Sequence, residues 1–472
     1  MPRQVGEADV RCSRDRATAI FADAIRRKEA AFVEALNLSG GGEVEARVAA
    51  IVDSYDPTQK RCYSIVTSWA QRRIANRSCA ETLLFMTLGT AGTGKSHVIK
   101  GAAMRCRLLF RSFKSVRTMA PTGVAAANLG DGSCTIDSVF RTQSEEDLQD
   151  QALDCFCEEL DELQLLIIDE ISMLGSAALY IIHRRLLQLV KRRMLRAGCT
   201  AQEIDLFAKP FGGIGVWVVG DFGQLQPVRA SSLLAGSRIV EPAETGRRSK
   251  AMCGCRLFQQ FECVVRLRRV HRQAAVDEYK PSTLRLRDAA ILPSDVDLWK
   301  SHDLDENPAQ WDGADGLEHS ALTLVAENGL CGSINGERLR DFIKDQSVKL
   351  PGDVVVRCDA KHNVAEKASK RKAEEYRQLR STLYLHVGAP VLLLLNKLYG
   401  MPVVPVGLMN GARGTVVAIL YDGKGVVREG VEWVRCGTPL EVKNAMPVQI
   451  VVDFPGYLKS CNARISIEVR TH

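Results

Sequence analysis

Four short apolar runs in the first half of the chain each end abruptly in a polar or glycine-bearing motif. Residues 83–88 run into Gly89-Thr90-Ala91-Gly92-Thr93-Gly94-Lys95-Ser96. Residues 116–120 run into Pro121-Thr122-Gly123-Val124-Ala125-Ala126-Ala127-Asn128. Residues 165–168 stop at Asp169-Glu170, and residues 216–219 stop at Gly220-Asp221-Phe222-Gly223-Gln224. Apolar runs this short, bounded by such breaks, predict strands buried on both faces. Helical patterns separate them. Residues 96–104 are helix formers, and Ile171-Ser172-Met173-Leu174 opens a helix towards Arg196 with Leu179, Ile182, Leu186, Leu189 and Val190 at helical spacing. Alternating strands and helices predict an α/β fold with a parallel sheet, whose ligands collect beyond the carboxyl ends of the strands. All four motifs then fall on one edge.

The first motif fits the phosphate-binding loop, two glycines five apart followed by Lys and Ser. Its glycines let the backbone turn tightly, so that N–H groups cradle phosphate oxygens. Lys95 can reach the β- and γ-phosphates, the Ser96 hydroxyl can ligate Mg²⁺, and the following helix offers its N-terminus. The chain therefore binds a nucleoside triphosphate. Asp169, at the end of a buried strand, suits the metal shell, and Glu170 can polarise the attacking water. Gln224 is open to two readings, a γ-phosphate sensor or a structural hydrogen bond. So is Gln59, within Asp56-Pro57-Thr58-Gln59-Lys60, which can pair with an adenine edge or simply start a helix.

Composition adds little to this. Lys and Arg total 63 against 56 acids, a mild excess that permits a nucleic-acid partner without arguing for one. The 15 cysteines are scattered, and the close pairs Cys155/Cys157 and Cys253/Cys255 lack zinc spacing. With no secretory signal, they point to a reducing intracellular compartment; in a eukaryotic cell that would be the nucleus ahead of the mitochondrion. Glu7, Asp9, Asp15 and Asp23 weigh against a transit peptide while leaving one open. No apolar run approaches a membrane span. Arg184, Arg185, Lys191, Arg192, Arg193 and Arg196 crowd one helix, as a basic solvent face or, for some, a phosphate-backbone track.

The order of the motifs is similar to that of the PIF (petite integration frequency) family of DNA helicases, in the RecD-like branch of helicase superfamily one. The resemblance rests on residues 89–96, 120–126, Thr135-Ile136-Asp137-Ser138, residues 168–174, Phe211-Gly212-Gly213-Ile214, residues 220–228 and Val270-His271-Arg272-Gln273. Gly388-Ala389-Pro390-Val391-Leu392 and residues 408–414 extend it, so that it covers roughly residues 51–457. It implies two RecA-like lobes with parallel sheets, 51–250 and 251–472, behind a helical N-terminal extension, 1–50. The second lobe would be incomplete and carry part of a small β-barrel insertion. It implies Mg-ATP hydrolysis driving 5′ to 3′ translocation on single-stranded DNA and DNA junctions, by a monomer, in repair, recombination and telomere maintenance. Residue by residue, Gln59 would read adenine, and Gly89 to Ser96 would hold the phosphates, with Asp169 completing the metal shell. Glu170 would be the base, Gln224 the γ-phosphate sensor, and Arg272 a charge-stabilising finger. Pro121, Thr122, Gly123 and Asn128 would touch the DNA strand. Taken without its neighbours, Arg272 reads as part of a solvated run with Arg266, Arg268 and Arg269. Phe140 is the first aromatic to consider for base stacking, against a buried core position.

Two departures qualify this. Asp137 stands where the family has His, and an acid there repels a phosphate. The family's two last motifs, Thr-x-His-Lys-x-x-Gly and a Ser-Arg pair, have no counterpart, as expected of a fragment, a truncated gene model or a degenerate copy. An alternative is then an ATP-gated single-stranded DNA-binding protein that cannot unwind; a third is an ATPase acting on a protein partner. In the second half, residues 288–318 read as a loop, 322–325 as a strand, Asn335 as a helix start and 365–380 as a charged helix. Residues 392–395, 415–420 and 449–452 read as further strands.

Overall fold

The computed structural model describes residues 30, 34, 42–76, 81–130, 133–144, 146–200, 202–203, 209–236, 249–271, 279–303 and 323–344. It also describes residues 356–359, 382–385, 388–394, 397–398, 401–402, 411–420, 449–454 and 465–468. The 365–380 segment and Arg272 lie outside these residues.

The first helix, α1 (Gly42–Asp53), starts at the end of the glycine run and crosses residue 50. Its Glu45 pairs with Arg105 at 3.1 Å. Helix α2 (Pro57–Ala75) is started by a capping box: Asp56 accepts from the N–H groups of Thr58 and Gln59, and Gln59 Oε1 accepts from Asp56 N–H. Pro57 at the first helical position gives up no bond the helix needs. Strand β1 (Leu84–Gly89) then leads through the loop into α3 (Lys95–Phe110). There follow β2 (Val116–Ala120), α4 (Gly123–Leu129), β3 (Cys134–Thr135), α5 (Ile136–Phe140) and α6 (Asp150–Glu159). Next come β4 (Leu165–Ile168), α7 (Ser176–Arg196), β5 (Gly215–Gly220), α8 (Lys250–Phe258) and β6 (Cys263–Leu267).

The sheet has the order β3-β2-β4-β5-β1-β6, and every pairing in it is parallel. Its two faces are read off β4 by the period of two. Leu166 and Ile168 join a core with Phe140, Leu186 and Phe211, while Leu165 and Ile167 join one with Val66, Ile99 and Trp217. Trp217 stacks on Phe85, ring centroids 5.6 Å apart, and donates its indole N–H to Thr87 Oγ1 at 2.9 Å. Gly215 has no side chain because Trp69 lies there; a Cβ would meet its ring at 2.6 Å.

The four expected strands are present within a residue at each end, and two more join them. Strand β6 alternates exposed and buried residues at one edge of the sheet, so it lacks the continuous apolar run of the others. The helix expected from Ile171 begins instead with a 3₁₀ turn, Ile171–Met173, and α7 starts at Ser176. Gly175 breaks the two apart, paired by a β-bridge to Ser232.

Further along lie α9 (Tyr279–Arg287), α10 (Pro293–Lys300) and α11 (Asn328–Lys344). Helix α10 falls inside the stretch read as a loop; its Pro and Asp residues are helix-start residues rather than breakers. Residues 323–325 form no strand, and α11 begins seven positions before Asn335. Two small antiparallel pairs follow, β7 (Val356–Asp359) with β8 (Thr382–Leu385), and β10 (Lys397–Leu398) with β11 (Met401–Pro402). Strands β9 (Pro390–Leu392), β12 (Arg413–Leu420), β13 (Gln449–Asp453) and β14 (Ile465–Glu468) form an antiparallel sheet ordered β14-β13-β12-β9. No helix among the described residues is long and apolar enough to cross a membrane.

Candidate nucleotide site

The loop at the exit of β1 turns on glycines that no other residue replaces cheaply. Gly92 and Gly94 take φ of 82° and 78°, in the left-handed region. A Cβ on Gly89 would stand 2.5 Å from Thr93 Oγ1, which itself donates to Thr90 O at 2.8 Å. Lys95, the first residue of α3, is buried, and its ammonium donates to the carbonyls of Gly89 (2.9 Å) and Thr90 (3.2 Å). The cation thus sits within the curl of the loop, facing the space its N–H groups surround. Ala91 is exposed at the tip.

Asp169 arrives from β4, its N–H bonded to Met119 O of β2 at 2.9 Å. Only 5% of it is exposed. Burial pushes its carboxyl up to about 6, and the neighbouring Glu170 charge adds to this. The Glu170 N–H, the Lys95 ammonium and the Ser96 hydroxyl pull the other way. Ser96, Asp169 and Lys95 therefore lie close together. Ser96 and Asp169 fit a divalent cation that takes oxygen donors: a hydroxyl and a buried carboxylate side by side, their charge only partly balanced by protein groups. Among the described residues there is no cluster of three or more His, Cys, Asp or Glu that holds a metal by itself. A metal here would draw its remaining ligands from phosphate and water, the usual habit of Mg²⁺.

Glu170 follows with a left-handed backbone, φ 51° and ψ 46°. Its Oε2 is buried with no hydrogen-bond partner. A buried acceptor left open, on a residue held in a sparsely populated conformation, is a pattern of functional sites. Gly220 at the end of β5 makes room for the turn; a Cβ there would meet Ile171 N at 2.9 Å. Gln224 follows on the same rim, half-buried, its N–H bonded to Asp221 O at 3.0 Å.

Gln59 is 2% exposed, and both ends of its amide are engaged. Oε1 closes the capping box and Nε2 donates to Thr93 O at 3.1 Å, so the side chain is a strut between α2 and the phosphate loop. One N–H and one lone pair remain for a ligand. The same strut carries a contact that sequence reasoning missed. His271, just beyond β6, donates its backbone N–H to Gly92 O at 2.7 Å, and its Nε2 lies 3.1 Å from Asp56 Oδ2. Burial raises the Asp56 carboxyl, but the Thr58 hydroxyl, the Gln59 N–H and His271 outweigh it, and the net shift is downward. The Asp-Pro-x-Gln spacing of a capping box was the signal that an ordered acid stood here.

On the next strand, the Thr122 hydroxyl accepts from Ala125 N–H at 3.3 Å as the cap of α4. Pro121 is half-buried, Gly123 buried and Asn128 exposed. Phe140 is fully buried against Phe156, a core position and not a stacking surface. Asp137 caps its own loop, accepting from Gln143 N–H at 3.2 Å and from the Thr142 hydroxyl at 3.1 Å. The α7 arginines are neither a bare solvent face nor a free basic track. Arg184, Arg192 and Arg196 pair with Asp147, Asp154 and Asp161, and Arg193 donates to the carbonyls of Leu160 and Leu163. Arg185 is buried on the carbonyls of Phe140 and Ser144.

Residues 62–289, which hold every one of these motifs from the phosphate loop to His271, match the model of the family described as PIF1-like helicase. Over that stretch, just under half of its length, the chain is similar to PIF1-like helicases. The human ATP-dependent DNA helicase PIF1 is 29% identical to it over 356 residues, 73% of this chain and 45% of that protein. The ATP-dependent DNA helicase RRM3 of Saccharomyces cerevisiae is 28% identical over 217 residues, 43% of this chain and 27% of that one. The chain thus spans less than half the length of these curated relatives. In fold it is similar to a solved Pif1 helicase structure concerned with DNA unwinding at forked double-stranded DNA by two coordinating Pif1 helicases. The TM-score is 0.52 at 20% identity, covering 88% of this chain and 76% of the other. The parallel sheet and its motif-bearing rim have the α/β P-loop NTPase fold.

Proposed function

We propose that this chain is an ATP-hydrolysing motor of the PIF1-like family that moves 5′ to 3′ along single-stranded DNA and opens duplex at junctions. The observation that carries this reading is the meeting of Ser96, Asp169 and Lys95 at one sheet edge, with the open carboxylate oxygen of Glu170 beside them. Ser96 and Asp169 would hold Mg²⁺, which neutralises phosphate charge. Lys95 binds the β- and γ-phosphates once they replace the loop carbonyls as its partners. Glu170 orients water and takes its proton, a role suited to a buried carboxylate with a spare lone pair. Gln224 responds to the γ-phosphate, Gln59 and its strut border the adenine, and Arg272 steadies the charge that develops on transfer. Pro121, Thr122, Gly123 and Asn128 meet the DNA backbone, where N–H groups and small hydroxyls bind phosphates without reading sequence. The curated relatives are named ATP-dependent DNA helicases, which supports the choice of ATP and of DNA. Work in repair, recombination and telomere maintenance, as a monomer inside the cell, follows the same reading.

Steady-state ATP hydrolysis with and without single-stranded DNA tests it. DNA-stimulated turnover accompanied by strand separation on a 5′-tailed fork is the expected result. ATP-dependent DNA binding without turnover would leave a clamp that cannot unwind, and turnover indifferent to DNA would point to a protein partner.

A further inference from the structure

The Asp221–Gln224 turn is held from outside its own strand. Asp221 is 4% exposed, and its Oδ1 accepts the Gly223 N–H at 3.1 Å. Onto the same oxygen comes the guanidinium of Arg287, the last residue of α9, at 2.5 Å. Gly223 is what lets it approach: a Cβ there would stand 2.6 Å from Arg287 Nε and 3.2 Å from Cζ. The guanidinium covers the glycine and grips the aspartate in one position. Two residues earlier on α9, Arg285 forks onto Asp295, which also accepts the Leu292 N–H at 2.9 Å and so ties α9 to the start of α10. A charge-assisted bond to a nearly buried carboxylate is among the stronger ties a surface helix can make. Here it joins the turn bearing Gln224 to the helix that follows Arg272 in the chain.

We propose that Arg287 is a positioning residue, fixing the Asp221–Gln224 turn to α9 so that the presence of a γ-phosphate is passed to the segment beyond Arg272. This rests on the motor reading above. A mere packing tie and a transmission element differ in what they do to coupling. If Arg287 transmits, loosening its hold leaves nucleotide affinity intact but uncouples nucleotide state from DNA affinity.

The experiment compares wild type, Arg287→Ala, Arg287→Lys, Gly223→Ala and Arg285→Ala. Gly223→Ala keeps both charges and pushes aside only the end of a flexible side chain, so it disturbs the contact without endangering the fold. Arg285→Ala loosens α9 from α10 without touching Asp221. The readouts are KM and kcat for ATP with saturating oligo(dT), and the ratio of oligo(dT) affinities with ADP and with a non-hydrolysable ATP analogue. In Arg287→Ala and Gly223→Ala we expect KM to stay within about twofold while kcat falls roughly tenfold to a hundredfold. The affinity ratio should collapse towards one. Arg287→Lys should recover part of both, and Arg285→Ala should keep the wild-type ratio. Wild-type kcat and ratio in Arg287→Ala and Gly223→Ala would overturn the proposal, as would an equal loss in Arg285→Ala. A wild type without DNA-stimulated turnover would instead overturn the motor reading, and this proposal with it.

Discussion

Glu170→Ala is expected to make the nucleotide-free protein more stable while nearly abolishing turnover. The residue carries two costs. Its left-handed backbone, φ 51°, costs a non-glycine residue roughly 1–2 kcal/mol, and the substitution leaves that in place. Its Oε2 is buried without a partner, which costs roughly 1–3 kcal/mol, and alanine removes it. Against this stands the packing of one half-buried methylene, at most about 0.8 kcal/mol. The net is a gain of about 1 kcal/mol, or about 2–4 °C in Tm for a domain of this size. Turnover should fall by about 10²- to 10⁴-fold, the usual contribution of a general base. Thermal melts of the nucleotide-free protein and single-turnover hydrolysis read the two arms separately. A melt below wild type would refute the stored cost, and a wild-type rate would remove Glu170 from the chemistry.

Further expectations follow from the same coordinates. Lys95→Ala should lose nucleotide binding or turnover with its melt unchanged, checked by calorimetry; hydrolysis at the wild-type rate would rule out the loop. His183 accepts the Phe211 N–H on Nδ1 at 3.0 Å, and burial with the Arg184 charge depresses it to about 4. Since the folded value lies below the unfolded 6.5, its stabilisation is complete above pH 6.5 and is lost as pH falls through 4. Urea unfolding at pH 7.5 and 4.5 should show wild type losing about 2–3 kcal/mol more than His183→Gln, and equal losses would refute this. Arg184→Ala and Arg192→Ala, half-exposed partners of Asp147 and Asp154, should each cost under about 1 kcal/mol. They should leave the salt dependence of DNA binding unaltered, whereas a shallower slope would return α7 to the DNA path.

How much of this was legible beforehand depended on which signals were local. The buried strands β1, β2, β4 and β5 announce themselves because both faces are covered and their apolar runs are continuous. Strand β6 did not, since its exposed Val264 and Arg266 give an edge strand the texture of a loop. The glycine positions of the phosphate loop could be read because backbone geometry requires them. Arg287 on Asp221 and His271 on Asp56 join residues 66 and 215 positions apart, which no periodicity or spacing encodes. The α7 arginines misled for a similar reason. Their charges look solvated along the helix, but α6 and its flanking loops supply the acids and carbonyls that hold them. Helix α10 was hidden by composition, because Pro293 and Asp295 start helices as readily as they break them.

The proposed motor requires a triphosphate and its metal to lie along the rim formed by Lys95, Ser96 and Asp169. Calorimetric titration of a non-hydrolysable ATP analogue, with and without Mg²⁺, into wild type, Lys95→Ala and Asp169→Asn tests that requirement most directly. The expected result is one site per chain, tightened by Mg²⁺ in wild type, abolished in Lys95→Ala and stripped of its Mg²⁺ dependence in Asp169→Asn. Equal, Mg²⁺-dependent affinity in all three proteins would contradict it.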